Sequence, residues 1–416
     1  MTAARVGVFH PGTQHSWQTA RALQQLGMLE WYTTSIYYQP DRWPYKATKY
    51  LPNAIRQKLI SEFKRFYHPD LDSAYVRTHG AHEWMERILA RAKWRGTAAW
   101  VNSMGNRSFG RELGRLIEFS KPDVVWGYDS SSKEGFEVAS SLGLRRILDV
   151  TIGDPRLYNQ LMSEVYEQYK EFFVSKNFLI GQDRIDRLDE EYDLASTIVV
   201  GSEFCSSSLT RKNVRPDLSE KIRILNYCFD DIFFALPAAP LRKRDKSEPI
   251  NFLFLGQAGP RKGVHLFLKA IERIPRKAAN FKIVGDLQVP VETFSRFQER
   301  VSVVNAVSRP EVKDALLEAD CLIFPTYFEG AGIVLYEALA CGVAVIQSKN
   351  ADLAVTPETG LVLDQLTENG LYAAMMALIE DRDLLLRFQQ AAPHRAEQYS
   401  FARYRSGIES ILRESP

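Results

Sequence analysis

With 416 residues, the chain exceeds what one hydrophobic core ordinarily serves, so two domains are the first expectation. Its 45% hydrophobic and 25% charged residues exclude a disordered or fibrous protein, and a net charge of only +2 argues against a nucleic-acid partner, whose phosphates a basic chain would neutralise. Four cysteines with no CxxC spacing point to a reduced, cytoplasmic setting, and no apolar run reaches the roughly eighteen residues that span a bilayer.

A strand pattern starts at Arg5–Phe9 (RVGVF), with no signal-peptide h-region before it. The following loop, His10 to Ser16 (HPGTQHS), leads into the helical run WQTARALQQLG. Gly12 is its one glycine, and His15 reads either as an acceptor-side base or as a helix-start residue that only hydrogen-bonds. Residues 42–67 interleave Arg42, Lys46, Lys49, Arg56, Lys58, Lys64 and Arg65 with aromatic residues against a single acid, Glu62. Such a stretch suits a membrane surface or an anionic lipid-linked acceptor, and equally a solvated surface helix. Asp70-Leu71-Asp72 is a DxD in a Pro-containing loop without a strand before it, and His79 and His82 have no further ligand set, so no metal is expected.

Strands then follow at Val124–Gly127 (VVWG), Arg146–Asp149 (RILD), Thr197–Val200 (TIVV) and Ile222–Leu225 (IRIL). The third of the five strands in this half runs into DVTIGDP, where Asp149 and Asp154 can meet an acceptor hydroxyl or serve as turn and helix-cap residues. Residues 235–249, ALPAAPLRKRDKSEP, lose all hydrophobic period and read as a linker. A second strand series occupies Ile250–Leu255, Phe281–Val284, Val301–Val304, Cys321–Phe324 and Val343–Gln347, with helical patterns between. Two parallel α/β domains of similar size place a ligand in the cleft between them, at the carboxyl ends of both sheets.

Two stretches carry the chemistry. After INFLFL comes Gly256-Gln257-Ala258-Gly259-Pro260-Arg261-Lys262-Gly263, which opens onto a helix. Small residues let backbone approach an anion and the two cations supply counter-charge, although neither the Walker nor the GxGxxG spacing is present; a solvated turn is the plain alternative. Further on, FEGAGIVLYEALACG sets Glu337 inside a run that is apolar on every side, so that carboxylate needs a partner. Glu329-Gly330-Ala331-Gly332 stands before the run, where free N–H groups favour an anion. Eight helical residues would separate the two glutamates by roughly 12 Å, about the reach of a nucleoside diphosphate with a sugar attached. A core Arg paired with Glu337 and a plain turn at Gly330 and Gly332 would explain the same residues.

Together, GQAGPRKGVHLFLKA and FPTYFEGAGIVLYEALACGVAVI resemble the donor-binding domain of GT-B glycosyltransferases, in particular the large retaining family four. The resemblance covers roughly residues 190–416 strongly and the first half in layout only. It implies a GT-B fold of two Rossmann-like α/β domains: residues 1–235 on the acceptor side, a linker at 236–249, a donor-binding domain at 250–395, and residues 396–416 as a C-terminal helix crossing back. Position by position, it implies that Lys262 and Arg261 bind the donor diphosphate and that Glu337 holds the ribose hydroxyls. Glu329 and the backbone of Gly330, Ala331 and Gly332 would hold the transferred sugar, with Val307 and Ile333 near base and ribose.

Gln257 stands where many relatives carry a phosphate-binding arginine, and Gly12 where they often have a glycine pair. The implied activity is retaining transfer from a nucleotide-diphosphate sugar to a saccharide or lipid-linked saccharide, in polysaccharide or glycoconjugate synthesis, without cofactor or metal. The expected location is the cytoplasm, at the inner membrane face if residues 42–67 bind lipid. Other activities on the fold, such as a sugar-phosphate synthase or a nucleotide-sugar epimerase, and a silent nucleotide-sugar-binding scaffold, are the rival readings.

Overall fold

The computed structural model describes residues 4–414 except 13–14, 41, 44, 64–65, 79–108, 235–247 and 306. The histidines 79 and 82 and most of the expected linker lie outside the described residues. Strands β1 (Val6–Phe9), β2 (Leu29–Thr34), β3 (Val76–Thr78), β4 (Val124–Tyr128), β5 (Arg145–Val150), β6 (Thr197–Val200) and β7 (Ile222–Ile224) form one sheet in the order β3-β2-β1-β4-β5-β6-β7. A second sheet holds β8 (Ile250–Leu255), β9 (Ala279–Val284), β10 (Ser302–Val304), β11 (Cys321–Phe324), β12 (Ala344–Gln347) and β13 (Gly360–Val362), in the order β10-β9-β8-β11-β12-β13. Every pairing in both sheets is parallel.

Parallel strands covered by helices on both faces read as unbroken apolar runs, and CLIF (β11) and AVIQ (β12) are buried along their whole length. In each sheet the order reverses once, between β1 and β4 and between β8 and β11. Loops at such a switch point diverge and leave a crevice. The described residues of these loops are 10–12 and 15 after β1, Gly256 to Gly263 after β8, and Pro325 to Gly332 after β11.

Three strands were not in the sequence expectation. In β2, LEWYTT, a glutamate and two threonines interrupt the aliphatic run that marks the other strands, while buried Trp31 and Tyr32 do the packing. Both β3 and β13 are three residues long, too short to show a period.

Helix boundaries follow local chemistry. Asp154 caps Pro155–Tyr169, accepting from the Arg156 N–H at 2.8 Å, and Ser308 and Glu311 close a capping box on Arg309–Glu318. The helix Ile333–Ala340 stops at Gly342, whose φ of +71° suits glycine. The final helix, Phe401–Arg413, packs on Ser16–Gln25, where the Thr19 hydroxyl lies 2.6 Å from the Tyr128 OH and 2.7 Å from the Tyr404 OH. Among the described residues, no helix is long and apolar enough to cross a membrane.

Candidate active site

The glycine loop after β8 makes a single 3₁₀ turn at Pro260–Lys262, ended by Gly263 at φ +73°. A Cβ on Gly263 would lie 2.1 Å from the Pro325 carbonyl oxygen, so only glycine lets this loop approach the one after β11. Lys262 lines a cavity of about 560 Å³ that Arg261 does not, Arg261 lines one of about 480 Å³ that Lys262 does not, and both line a third of about 220 Å³. Both reach the same acid: the Lys262 ammonium and the Arg261 guanidinium each lie 3.0 Å from Glu329 Oε2, and Arg261 also donates to the Phe328 carbonyl at 2.7 Å. Lys262 further sits 5.1 Å from the centre of the Phe324 ring.

Burial alone would push the Glu329 carboxyl up, but Lys262 and Arg261 outweigh it and hold the group at about 2. Glu329 is therefore a carboxylate at any physiological pH.

The helix Ile333–Ala340 opens on the same cavity. Gly332 at its N-cap has φ +86° and no side-chain cap; the Leu335 N–H donates to the Gly332 carbonyl at 2.9 Å, and Ile333 and Val334 line the cavity at the helix mouth. Glu329 lies four residues before this helix in irregular backbone, so the axial rise of eight helical residues does not measure the separation of the two glutamates. That part of the sequence expectation is corrected. Glu337, with 4% of its side chain exposed, pairs with Arg309. Arg309 is 48% exposed and itself lines the cavity, so it is a cleft residue and not a core arginine. Burial raises the Glu337 carboxyl and Arg309 draws it back down.

From the first sheet come His15, Thr151 and Tyr227. His15 packs against Tyr227 with ring centres 4.6 Å apart and the planes tilted by 35°. Burial, aided by Arg309 and His10, lowers its pKa to about 4, so the imidazole is neutral at neutral pH.

Of the residues singled out in the sequence, Lys262, Glu329, Ala331, Gly332, Ile333, Glu337, Val307 and His15 converge on this one cavity. Others lie elsewhere. Gln257 lines the 220 Å³ cavity on the far side of the glycine loop, and Gly12 packs against His10. Gly330 is a docking point, its carbonyl accepting from the Ser202 hydroxyl and its Cα seated on the Thr151 carbonyl. Asp149 is wholly buried, accepting from Tyr227 at 2.6 Å and Trp126 at 3.4 Å; burial pushes it up to about 7 against those bonds. Asp154 is equally buried, as a helix cap that also pairs with Arg156 at 2.9 Å. Neither aspartate lines the cavity. Sequence reasoning missed Arg309, Thr151 and Tyr227.

This architecture, two parallel α/β sheets facing each other across a cleft at their switch points, is the GT-B fold. Sucrose-phosphate synthase from Thermosynechococcus elongatus superposes with a TM-score of 0.67 at 14% identity, covering 99% of this chain and 98% of that one. Anabaena HepE in complex with UDP gives 0.61 at 12%, covering 98% and 99%. Residues 241–395 match the family described as Glycosyl transferases group 1. An uncharacterized glycosyltransferase of Methanocaldococcus jannaschii is 26% identical over 172 residues, 39% of this chain and 48% of the relative, so the chain spans about half the length of that curated relative.

Proposed function

We propose that the protein is a retaining glycosyltransferase that moves a sugar from a nucleotide-diphosphate sugar to a saccharide or lipid-linked saccharide acceptor, in polysaccharide or glycoconjugate synthesis. One observation carries this: Lys262, the uncapped mouth of the helix Ile333–Ala340 and the carboxylates of Glu329 and Glu337 all face a single cavity at the switch points of both sheets. A diphosphate fits between the ammonium and the helix N–H groups. Glu337, steadied by Arg309, accepts from the ribose hydroxyls, and Glu329 accepts from hydroxyls of the sugar. Val307 and Ile333 pack beside base and ribose. Gln257 adds no cation here, so Arg261 supplements Lys262 through their shared acid.

In the reaction, an acceptor oxygen bonds to the anomeric carbon as the bond from that carbon to the phosphate oxygen breaks. The electron pair goes to the leaving diphosphate, which takes the acceptor proton on the same face of the sugar. Charge grows on the phosphate oxygen, where Lys262 and the helix N–H groups already wait, so the protein stabilises it without reorganising. His15, neutral at the cavity wall, is placed to hydrogen-bond rather than to carry charge.

HepE, solved with UDP and with UDP-glucose, makes these the first probes. UDP at a hundred times its Kd is expected to stabilise the protein by about 2.7 kcal/mol, read as a rise in melting temperature. No rise with UDP, ADP or GDP would overturn the donor reading. Product analysis then separates the rivals: a silent scaffold binds without turnover, an epimerase returns a nucleotide sugar, and a synthase or transferase releases the nucleotide.

A membrane-facing role for residues 42–67 is supported by Trp43, Tyr50 and Ile55, which are 75%, 84% and 52% exposed beside Arg42, Lys46 and Lys49. Flotation with vesicles containing phosphatidylserine is expected to recover the wild type, and Trp43→Ser with Tyr50→Ser to reduce recovery several-fold. Equal recovery of both would remove the idea.

A further inference from the structure

A second cavity, of about 480 Å³, shares a wall with the first. Thr151 faces the first cavity, while its neighbours Val150, Ile152 and Gly153 face the second. In the same way Glu329 lines the first, and the Arg261 that holds it at 3.0 Å lines the second together with Phe328. One strand end and one ion pair separate the two spaces. A sugar held by Glu329 therefore sits at the boundary between the two cavities, within reach of a ligand in the second.

We propose that this second cavity is the acceptor pocket and that it takes an anionic saccharide, a sugar ring bearing phosphate or carboxylate. The proposal rests on the donor reading above. The volume falls within the roughly 300–1,000 Å³ of small-molecule pockets, and the lining has their usual makeup, apolar and aromatic with few polar groups. Tyr158 and Phe328 meet edge to face at 5.4 Å, offering ring surface to the apolar face of a sugar, with Phe178, Leu179 and Ile180 also in the lining.

The segment 178–180 is held in place. Asn159 bonds both the N–H and the carbonyl of Ile180, at 2.8 and 2.9 Å, and the Tyr158 hydroxyl donates to the Phe178 carbonyl at 3.1 Å.

The charge of the lining selects the ligand. Nearby Arg156, Arg187 and Arg215 each pair with one or more carboxylates. Arg184, which faces the cavity, makes no ion pair among the described residues; its side chain touches the Ser130 hydroxyl at 3.5 Å. The lining contains one carboxylate, Asp129, and its Oδ1 already accepts from the Thr151 N–H at 2.8 Å and hydroxyl at 2.7 Å. Arg261 shares Glu329 with Lys262, so around the shared wall Arg184, Arg261 and Lys262 face Glu329 and the engaged Asp129, three cations against two carboxylates, and the planar guanidinium fork of Arg184 matches carboxylate and phosphate. Among the acceptor candidates from the sequence, His15, Asp149 and Asp154 do not line this pocket.

The test titrates methyl glucoside, methyl glucuronide and glucose 6-phosphate into the protein with UDP bound, by saturation-transfer NMR. The two anionic sugars are expected to bind at least tenfold more tightly than the neutral one, and whichever of the two binds better tells phosphate from carboxylate. Arg184→Ala is expected to erase that preference. Leu179→Trp, which grows a half-exposed side chain into the cavity, is expected to weaken all three sugars at least tenfold. UDP affinity should stay within twofold in both variants, which also certifies their fold. Anionic sugars that bind no better than the neutral one, or that bind both variants as they bind wild type, overturn the proposal alone when UDP binds normally. Absence of UDP binding to the wild type overturns the donor reading and this proposal with it.

Discussion

Lys262→Ala is expected to lower turnover with UDP-glucose, or with whichever donor the nucleotide screen selects, by about 10²–10³, equivalent to about 2.7–4 kcal/mol of transition-state stabilisation. The ammonium is the cation that faces the donor cavity directly from the glycine loop, and it is fixed there by Glu329 at 3.0 Å and by the Phe324 ring. Because charge accumulates on the leaving diphosphate only as the bond breaks, the loss should fall mainly on kcat, with a smaller change in donor KM. Lys262→Arg is expected to recover part of the rate, since it restores charge without the compact ammonium. Initial-rate kinetics on the three proteins decide it: an unchanged kcat in Lys262→Ala removes the role assigned to this residue.

The second large effect is expected from Gly330→Ala. Gly330 belongs to the donor side, yet a Cβ there would lie 1.9 Å from the carbonyl oxygen of Thr151 on the other side of the cleft. Backbone cannot yield as a flexible side chain does, so the loop after β11 and the strand end of β5 must part by more than an ångström. Displacements of that size in reacting groups cost on the order of 10² in rate. Turnover should fall by about that factor while UDP still binds, because Lys262 and Glu337 remain on the donor side. Calorimetric UDP binding beside steady-state rates separates the two, and a variant that turns over normally shows that close contact at Gly330 is not needed.

Much of this arrangement is legible in the chain. The glycine loop, the buried helix with its interior glutamate and the alternation of strands and helices all follow from local composition, because each depends on neighbours in sequence. What escaped the reading depends on neighbours in space. Arg309 lies 28 residues before Glu337, in a capping box that explains its segment without reference to any carboxylate. Asp149 and Thr151 lie two residues apart, on the same side of one extended run; the first is enclosed by Trp126 and Tyr227, and the second lies just past the end of β5, where the cleft begins. The sequence locates that strand end but not which residue clears it. Arg261 and Lys262 look equivalent as adjacent cations, yet from one tight 3₁₀ turn only Lys262 reaches the 560 Å³ cavity and only Arg261 the 480 Å³ one.

The paired charges around Glu329 have a consequence for selectivity. Lys262 and Arg261, the cations expected to meet a donor diphosphate, are both paired with the tethered carboxylate of Glu329. A small monoanion from the surrounding solution can offer only what the tethered carboxylate already gives, and gains little by replacing it. A visitor bringing two linked negative groups, plus hydroxyls for the displaced glutamate to grasp, offers more than it removes. On the donor reading, this pairing favours those guests that give Glu329 something new to hold.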